Sequence, residues 1–208
     1  MIKFFLLFVL LFLNAGSVFT QTSEEYYTKG LMHLNNNLLD DAIISLEKAV
    51  ELDPRFEDAY RDLGIAYFRK GNDDKAFKCF NKAVNLNSFD YESLTYLGII
   101  YRRRDILEKS IISLEKALDV NPYHLSAFYQ LGNAYFKKNE FDKAIESYNK
   151  VIEIDSTYAR VYYKLAQIYQ IKKQYNLAWE NVYKARELGF KIPDNFIETL
   201  KSIDIKPE

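Results

Sequence analysis

"AFYQLGNAYFKKNEFDKAIESYNKVIEID" (residues 127–155) aligns without a gap on "AYRDLGIAYFRKGNDDKAFKCFNKAVNLN" (residues 59–87), and the match extends along most of the chain. Gly30, Gly64, Gly98 and Gly132 stand 34 residues apart, and Ala166 takes the next step. Leucine precedes four of these five positions, at Leu63, Leu97, Leu131 and Leu165. Three residues after each small residue come His33, Tyr67, Tyr101, Tyr135 and Tyr169. Two further small rows follow, Ala42–Ala76–Ser110–Ala144–Ala178 and Ala49–Ala83–Ala117–Val151–Ala185. The period divides the chain into five units, 23–56, 57–90, 91–124, 125–158 and 159–192, with no insertion or deletion. Self-similarity at this period is the mark of a stacked array rather than of one closed core.

These residues closely resemble the tetratricopeptide repeat, with its leucine–glycine pair, tyrosine, two alanines and closing proline, here Pro54 and Pro122. The resemblance covers about four fifths of the chain. It implies an all-α fold, a right-handed α-solenoid of helix–turn–helix units. Departures are mild: Lys29 replaces leucine in the first unit, Ser88 and Ser156 replace proline, and the fifth unit lacks the glycine.

Residue chemistry leads to the same fold. Each unit carries apolar residues at spacings of three and four, the signature of two amphipathic helices. Small residues at fixed places let helix axes approach, and large aromatics fill what is left between them. Asp40, Asp74, Asp142 and Asn176 are expected as N-caps of the second helices. Asn37, Gly71 and Asn139 are expected in left-handed turns between the two helices. A terminal helix over 193–205, started by Pro193, sets Phe196, Leu200 and Ile203 on one face and is expected to cap the open end.

The first twenty residues are of another kind. Lys3 is their only charge, "FFLLFVLLFL" (4–13) follows, and small and polar residues come after it. This is the anatomy of a signal peptide, 1–20, and the apolar run is short for a spanning helix of about 20 residues. The chain is therefore expected to be exported, to the periplasm or beyond, with an uncleaved anchor at residues 2–13 as the alternative. Net charge is −1, from 28 basic and 29 acidic residues, so no overall field draws the chain to nucleic acid. The lone Cys79 forms no internal disulfide and is read as a partly buried filler.

In the repeat family the first helix of each unit lines a concave groove where ligands lie. Carried over position by position, the resemblance implies a lining of Tyr27, Leu31, Arg61, Ile65, Phe68, Ile99, Arg102, Tyr129, Asn133, Phe136, Tyr163 and Gln167. Glu24, Asp58, Glu92, Ser126 and Arg160 form its entrance row. Within "YRRRD" (101–105), Arg103 and Arg104 share rows with Arg69, Lys70, Lys137 and Lys138, at helix C-termini where cations suit the dipole. Arg102 differs, because its row otherwise holds Leu34, Phe68, Phe136 and Gln170; it points to an acidic or carboxylate-bearing ligand. Some family members clamp a carboxylate for heat-shock chaperones. The matching window here, Thr95, Ile99, Gln130, Arg160 and Lys164, fits that clamp only in its last three residues, and that role is rejected.

Catalysis has no foothold in the sequence. His33 and His124 are isolated, no Cys/His cluster has metal-ligand spacing, and neither a nucleophile motif nor a phosphate loop appears. A non-enzyme is expected, without metal or cofactor. The leading reading is an exported adaptor or assembly factor that binds a segment of another protein in its groove. Two alternatives stay open: a self-associating scaffold, and a glycan binder that uses Tyr27, Tyr129 and Tyr163 as stacking platforms.

Overall fold

The computed structural model describes residues 21–203. The segment read as a signal peptide, and the last two residues of the expected capping segment, lie outside the described residues. Eleven helices follow one another there, with no strand among the described residues. They are α1 (Ser23–Asn35), α2 (Leu39–Leu52), α3 (Glu57–Arg69), α4 (Asp73–Leu86), α5 (Tyr91–Arg103), α6 (Leu107–Val120), α7 (Leu125–Lys137), α8 (Phe141–Ile154), α9 (Ala159–Ile171), α10 (Tyr175–Glu187) and α11 (Asp194–Ile203). Helices pair within each unit, α1 with α2 and so on to α9 with α10, and each pair stacks on the next. The first helices of units one to four, α1, α3, α5 and α7, also touch in succession, so they build one continuous face.

The periodic small residues sit at the crossings. Ala42, Ala76, Ala144 and Ala178 are wholly buried, as are Ala49, Ala83, Ala117 and Ala185. Ser110 replaces alanine in one row, and its hydroxyl donates 2.7 Å to the Gly98 carbonyl, which satisfies it inside the core. Each glycine of the first helices faces a large buried side chain of the second: Gly30 faces Leu46, Gly64 Phe80, Gly98 Leu114 and Gly132 Tyr148. A Cβ at any of the four would stand 2.5–2.7 Å from that side chain. Between units, Phe80 stacks on Tyr96 at 4.8 Å and Phe77 meets Tyr101 edge-on at 5.4 Å.

Left-handed turns join the two helices of every unit. Asn37, Gly71 and Asn139 have φ of 57°, 81° and 62°, as their residue types foretell, and Asp105 (62°) and Lys173 (59°) take the same conformation. The expected N-caps are corrected. Second helices begin at Leu39, Asp73, Leu107, Phe141 and Tyr175, so Asp40, Asp74, Asp142 and Asn176 lie one residue inside the first turn. Of the actual cap residues only Asn72 uses its side chain, accepting from the Lys75 N–H at 3.1 Å. The acids instead meet cations of the following unit. Lys70 pairs with Asp40, Arg104 with Asp74 at 2.5 Å, Lys138 with Glu108 at 3.5 Å, and Lys172 with Asp142. This ladder ties each inter-helix turn to the next, and the acids also complement the positive N-terminal end of their own helix.

The terminal helix α11 packs on the cluster of α9 and α10, but through a face other than the expected Phe196, Leu200 and Ile203. Ile197 and Leu200 are buried and Phe196 half-buried, whereas Ile203 is 46% exposed. The helix starts one residue after Pro193, and its last turn extends past the body it covers.

Candidate functional site

The residues expected to line a groove lie on α1, α3, α5, α7 and α9. Its apolar stripe, Leu31–Ile65–Ile99, is half-buried along its length. Phe68 lies beside it with the Arg103 guanidinium 4.2 Å from its ring centre and Tyr96 edge-on at 5.1 Å. A row absent from the expected lining, Thr28, Asp62, Tyr96, Gln130 and Lys164, also contributes. Its residue type changes at every unit, so periodicity does not single it out.

Units one to three gather acids around one cation. Arg61 pairs with Asp58 at 2.5 Å, Glu57 at 3.3 Å and Glu92 at 3.4 Å. Burial opposes its charge, but the carboxylates of Asp62, Asp58 and Asp90 outweigh burial and raise its pKa. Arg61 is thus saturated by its own neighbours and is not free to hold a ligand. The Tyr27 hydroxyl donates to Asp62 at 2.8 Å, and its ring lies 4.7 Å from Phe56. Burial pushes the Asp62 carboxyl up against the opposing Tyr27 hydrogen bond and Arg61 charge.

Units three to five carry the opposite charge. Arg102 is half-buried and donates through Nη2 to Gln130 Oε1 at 3.3 Å, while its Nε is buried without a partner. Gln130 Oε1 also accepts from Asn133 Nδ2 at 3.4 Å, and Asn133 Oδ1 accepts from the Tyr148 hydroxyl at 3.0 Å. Lys164 stands 5.5 Å from the Phe136 ring centre. Burial lowers the Arg102 pKa and Arg103 adds to it; burial lowers that of Lys164, helped by Arg102 and Arg160. In this half Gln167 Oε1 is also buried without a partner.

The tyrosines are less open than a stacking platform requires. Tyr129 is only 8% exposed, with Tyr158 at 5.3 Å and Tyr148 at 6.0 Å. Tyr163 is stacked against Phe190 at 5.4 Å and edge-on to Phe196 at 5.2 Å. Thr95, one position of the chaperone clamp window, is 3% exposed and donates its hydroxyl to the Tyr91 carbonyl at 2.7 Å. His33 is half-buried and His124 sits edge-on to Tyr91 at 4.9 Å. Among the described residues no three His, Cys, Asp or Glu side chains converge to hold a metal ion, and no helix is long and apolar enough to cross a membrane.

Comparison with known proteins agrees with this architecture. A family model described as TPR repeat matches residues 30–71 and 132–172, and one described as tetratricopeptide repeat matches 57–90. Two crystal structures of MamA are similar. One is 29% identical with a TM-score of 0.71, over 76% of this chain and 93% of that one. The other is 26% identical with a TM-score of 0.72, over 89% and 97%. The pilF protein of Pseudomonas aeruginosa shares the fold, with a TM-score of 0.75 at 19% identity over 88% of this chain and 86% of its own. A search of curated proteins found no match. Such repeats are protein–protein interaction modules, and with five aligned units, their glycine-for-bulk crossings and these matches, the chain belongs to the tetratricopeptide repeat family.

Proposed function

We propose that this protein is an exported, non-catalytic adaptor or assembly factor that binds a segment of another protein along the face built by α1, α3, α5, α7 and α9. The observation that carries the reading is the unfinished chemistry of that face. The stripe Leu31–Ile65–Ile99 stays half-buried in units one to three, and two buried polar atoms further along, Arg102 Nε and Gln167 Oε1, have no partner. Buried polar groups are normally satisfied, and an extended backbone laid in the groove offers both donors and acceptors. Export rests on Lys3 and the apolar run 4–13. The glycan reading is the weaker one, because the three tyrosine rings it needs are packed against neighbours.

The test places a photo-crosslinking residue at Ile65 or Asn133 in the groove, and at Ile44, 67% exposed on a second helix, as control. The expected result is capture of one envelope protein from 65 and 133 and none from 44. Equal capture from all three, or capture from 44 alone, overturns groove binding. N-terminal sequencing of the protein from fractionated cells checks export: a start near residue 21 supports it, and a cytosolic protein that keeps residues 1–20 overturns it.

A further inference from the structure

Charge on the first helices is gathered rather than spread. Three carboxylates converge on Arg61: Asp58 at 2.5 Å, Glu57 at 3.3 Å and Glu92 at 3.4 Å, the last reaching across from the next unit. Asp62 stands one residue on, held by the Tyr27 hydroxyl at 2.8 Å. Asp90 joins them from the turn before α5. Its equivalents in the repeat register, Phe56 and Tyr158, pack against Tyr27 and Tyr129 at 4.7 Å and 5.3 Å, and the same register sets Asp90 beside Arg61. Its charge acts on both Arg61 and Glu57. These carboxylates share a single guanidinium.

Helix architecture accounts for only part of the cluster. Glu57, Asp58 and Glu92 lie in the first turns of α3 and α5, where acids suit the helix dipole. Asp62 lies beyond the first turn, and burial opposes its charge. Asp90 caps α5 through Oδ1, which accepts from the Ser93 N–H at 3.1 Å. Its Oδ2 is buried with no partner, in a residue only 5% exposed, and the hydroxyl of the wholly buried Ser93 has none either. A buried carboxylate oxygen left unpaired is costly. The array has no need of it, since farther along the rows of Asp58, Asp62 and Asp90 hold Ser126, Gln130 and His124.

We infer that this acidic cluster is a receptor for a cationic side chain, the ammonium of a lysine or the guanidinium of an arginine, carried by the protein segment bound in the groove. This rests on the groove reading proposed above and adds the chemistry of the ligand. The side chains of Asp58 and Glu92 are 47% and 48% exposed and are open to a ligand, while Asp62 and Asp90 hold negative charge behind them. Charge-assisted hydrogen bonds of this kind are roughly twice as strong as neutral ones. A second cation also relieves what Arg61 alone leaves uncompensated. Among the described residues no group of three acids could hold a metal ion, which favours an organic cation. Ile65 lies one turn along α3 from Arg61, so the cationic residue is flanked by apolar residues of the segment. A segment anionic at this place is repelled.

An array of random twelve-residue peptides with acetylated N-termini, probed with the chain from residue 21 onward, tests the inference. Bound peptides are expected to carry a Lys or Arg beside apolar residues, and to bind more weakly as salt rises. Replacing that residue by Gln in the peptide is expected to lower affinity by about tenfold or more. Glu92→Gln, on an exposed side chain, and Asp90→Asn, which keeps a capping oxygen, are expected to lose a similar factor without lowering the melting temperature. Asp142→Asn, in the acid–cation ladder between turns, is the control and is expected to leave affinity unchanged. Should peptides without a cation bind equally well, with binding lost on Ile65→Asn but unchanged in Glu92→Gln, the groove stands and the cation receptor falls. No peptide binding at all, or binding indifferent to Ile65→Asn, overturns both. Calcium chloride that displaces peptide better than sodium chloride at equal ionic strength, with the difference lost in Glu92→Gln, makes the cluster a metal site and overturns the ligand class. A lower melting temperature in Asp90→Asn overturns the idea that this carboxylate is kept for a ligand.

Discussion

At Gly98 an added Cβ would stand 2.6 Å from Leu114 Cγ and 3.2 Å from the Ser110 carbonyl oxygen, and Leu114 is wholly buried with nowhere to move. Alanine gains about 1 kcal/mol over glycine in a helix interior, but overpacking costs about 1–3 kcal/mol. Gly98→Ala is therefore expected to lose up to about 2 kcal/mol in urea unfolding. The fifth unit shows how the same contact accepts a methyl group: Ala166 stands at the glycine position, and its facing residue is Val182, smaller than Leu46, Phe80, Leu114 or Tyr148. Adding Leu114→Val to Gly98→Ala is expected to recover most of the loss, with a coupling of at least about 1 kcal/mol in the double-mutant cycle. Additive losses would mean that the glycines are kept for some other reason. Cys79 gives a second residue-scale expectation. Burial, with Glu47 nearby, pushes its thiol up to about 12, so little thiolate exists at neutral pH. Iodoacetamide at pH 8 is expected to label it slowly in the folded protein and rapidly in urea; equal rates would place the thiol in solvent.

Between helices the backbone makes a left-handed turn in every unit, and the residue types at that place are Asn, Gly, Asp, Asn and Lys. Lysine has no side-chain hydrogen bond to ease φ of 59°, and the left-handed region costs a residue with Cβ about 1–2 kcal/mol. Lys173→Gly is expected to stabilise the protein by about 0.5–1 kcal/mol, with Asn139→Gly closer to neutral, since Asn tolerates this region. A destabilised Lys173→Gly would show that the lysine side chain matters there. These turns also mark how far the sequence can be read. Asn37, Gly71 and Asn139 announce their conformation by type, whereas Lys173 takes it only as part of the turn that recurs in every unit. Asp40, Asp74 and Asp142 look like caps in sequence because a cap and a first-turn acid use the same residue types near a helix start. Only the partner cation, 30 residues away in each case, distinguishes them. The groove follows the same rule. Its apolar stripe and Arg102 were readable from the repeat register, and Gln130, Arg160 and Lys164 from the family's clamp window, but the saturation of Arg61 was not. That depends on which charges meet across units, and Asp62 belongs to a row with no period to reveal it.

The array as a whole ends on polar surface at both sides. Positions that are buried in every later unit, Ala59, Leu63 and Ala66 in the second, are occupied in the first by Glu25, Lys29 and Met32, all exposed. Among the described residues no unit packs on this face, and the lysine that weakens the family pattern in the first unit suits it. At the other side α11 buries Ile197 and Leu200 and presents Glu198, Thr199 and Ser202 to solvent. Repeat arrays whose ends lack such caps expose their apolar stacking face and associate through it. The chain from residue 21 onward is therefore expected to be monomeric by light scattering at micromolar concentration, which disfavours a scaffold assembled end to end. Truncation after residue 193 removes the buried Ile197 and Leu200 and uncovers the apolar cluster of α9 and α10 that they complete. It is expected to cost at least about 3 kcal/mol, from two aliphatic side chains of about 1.5–3 kcal/mol each, and to produce concentration-dependent oligomers. A truncated chain that stays monomeric and equally stable would show that α11 is an appendage. Stable dimers of the untruncated chain would instead move the search for a partner from the groove to a second copy of the protein.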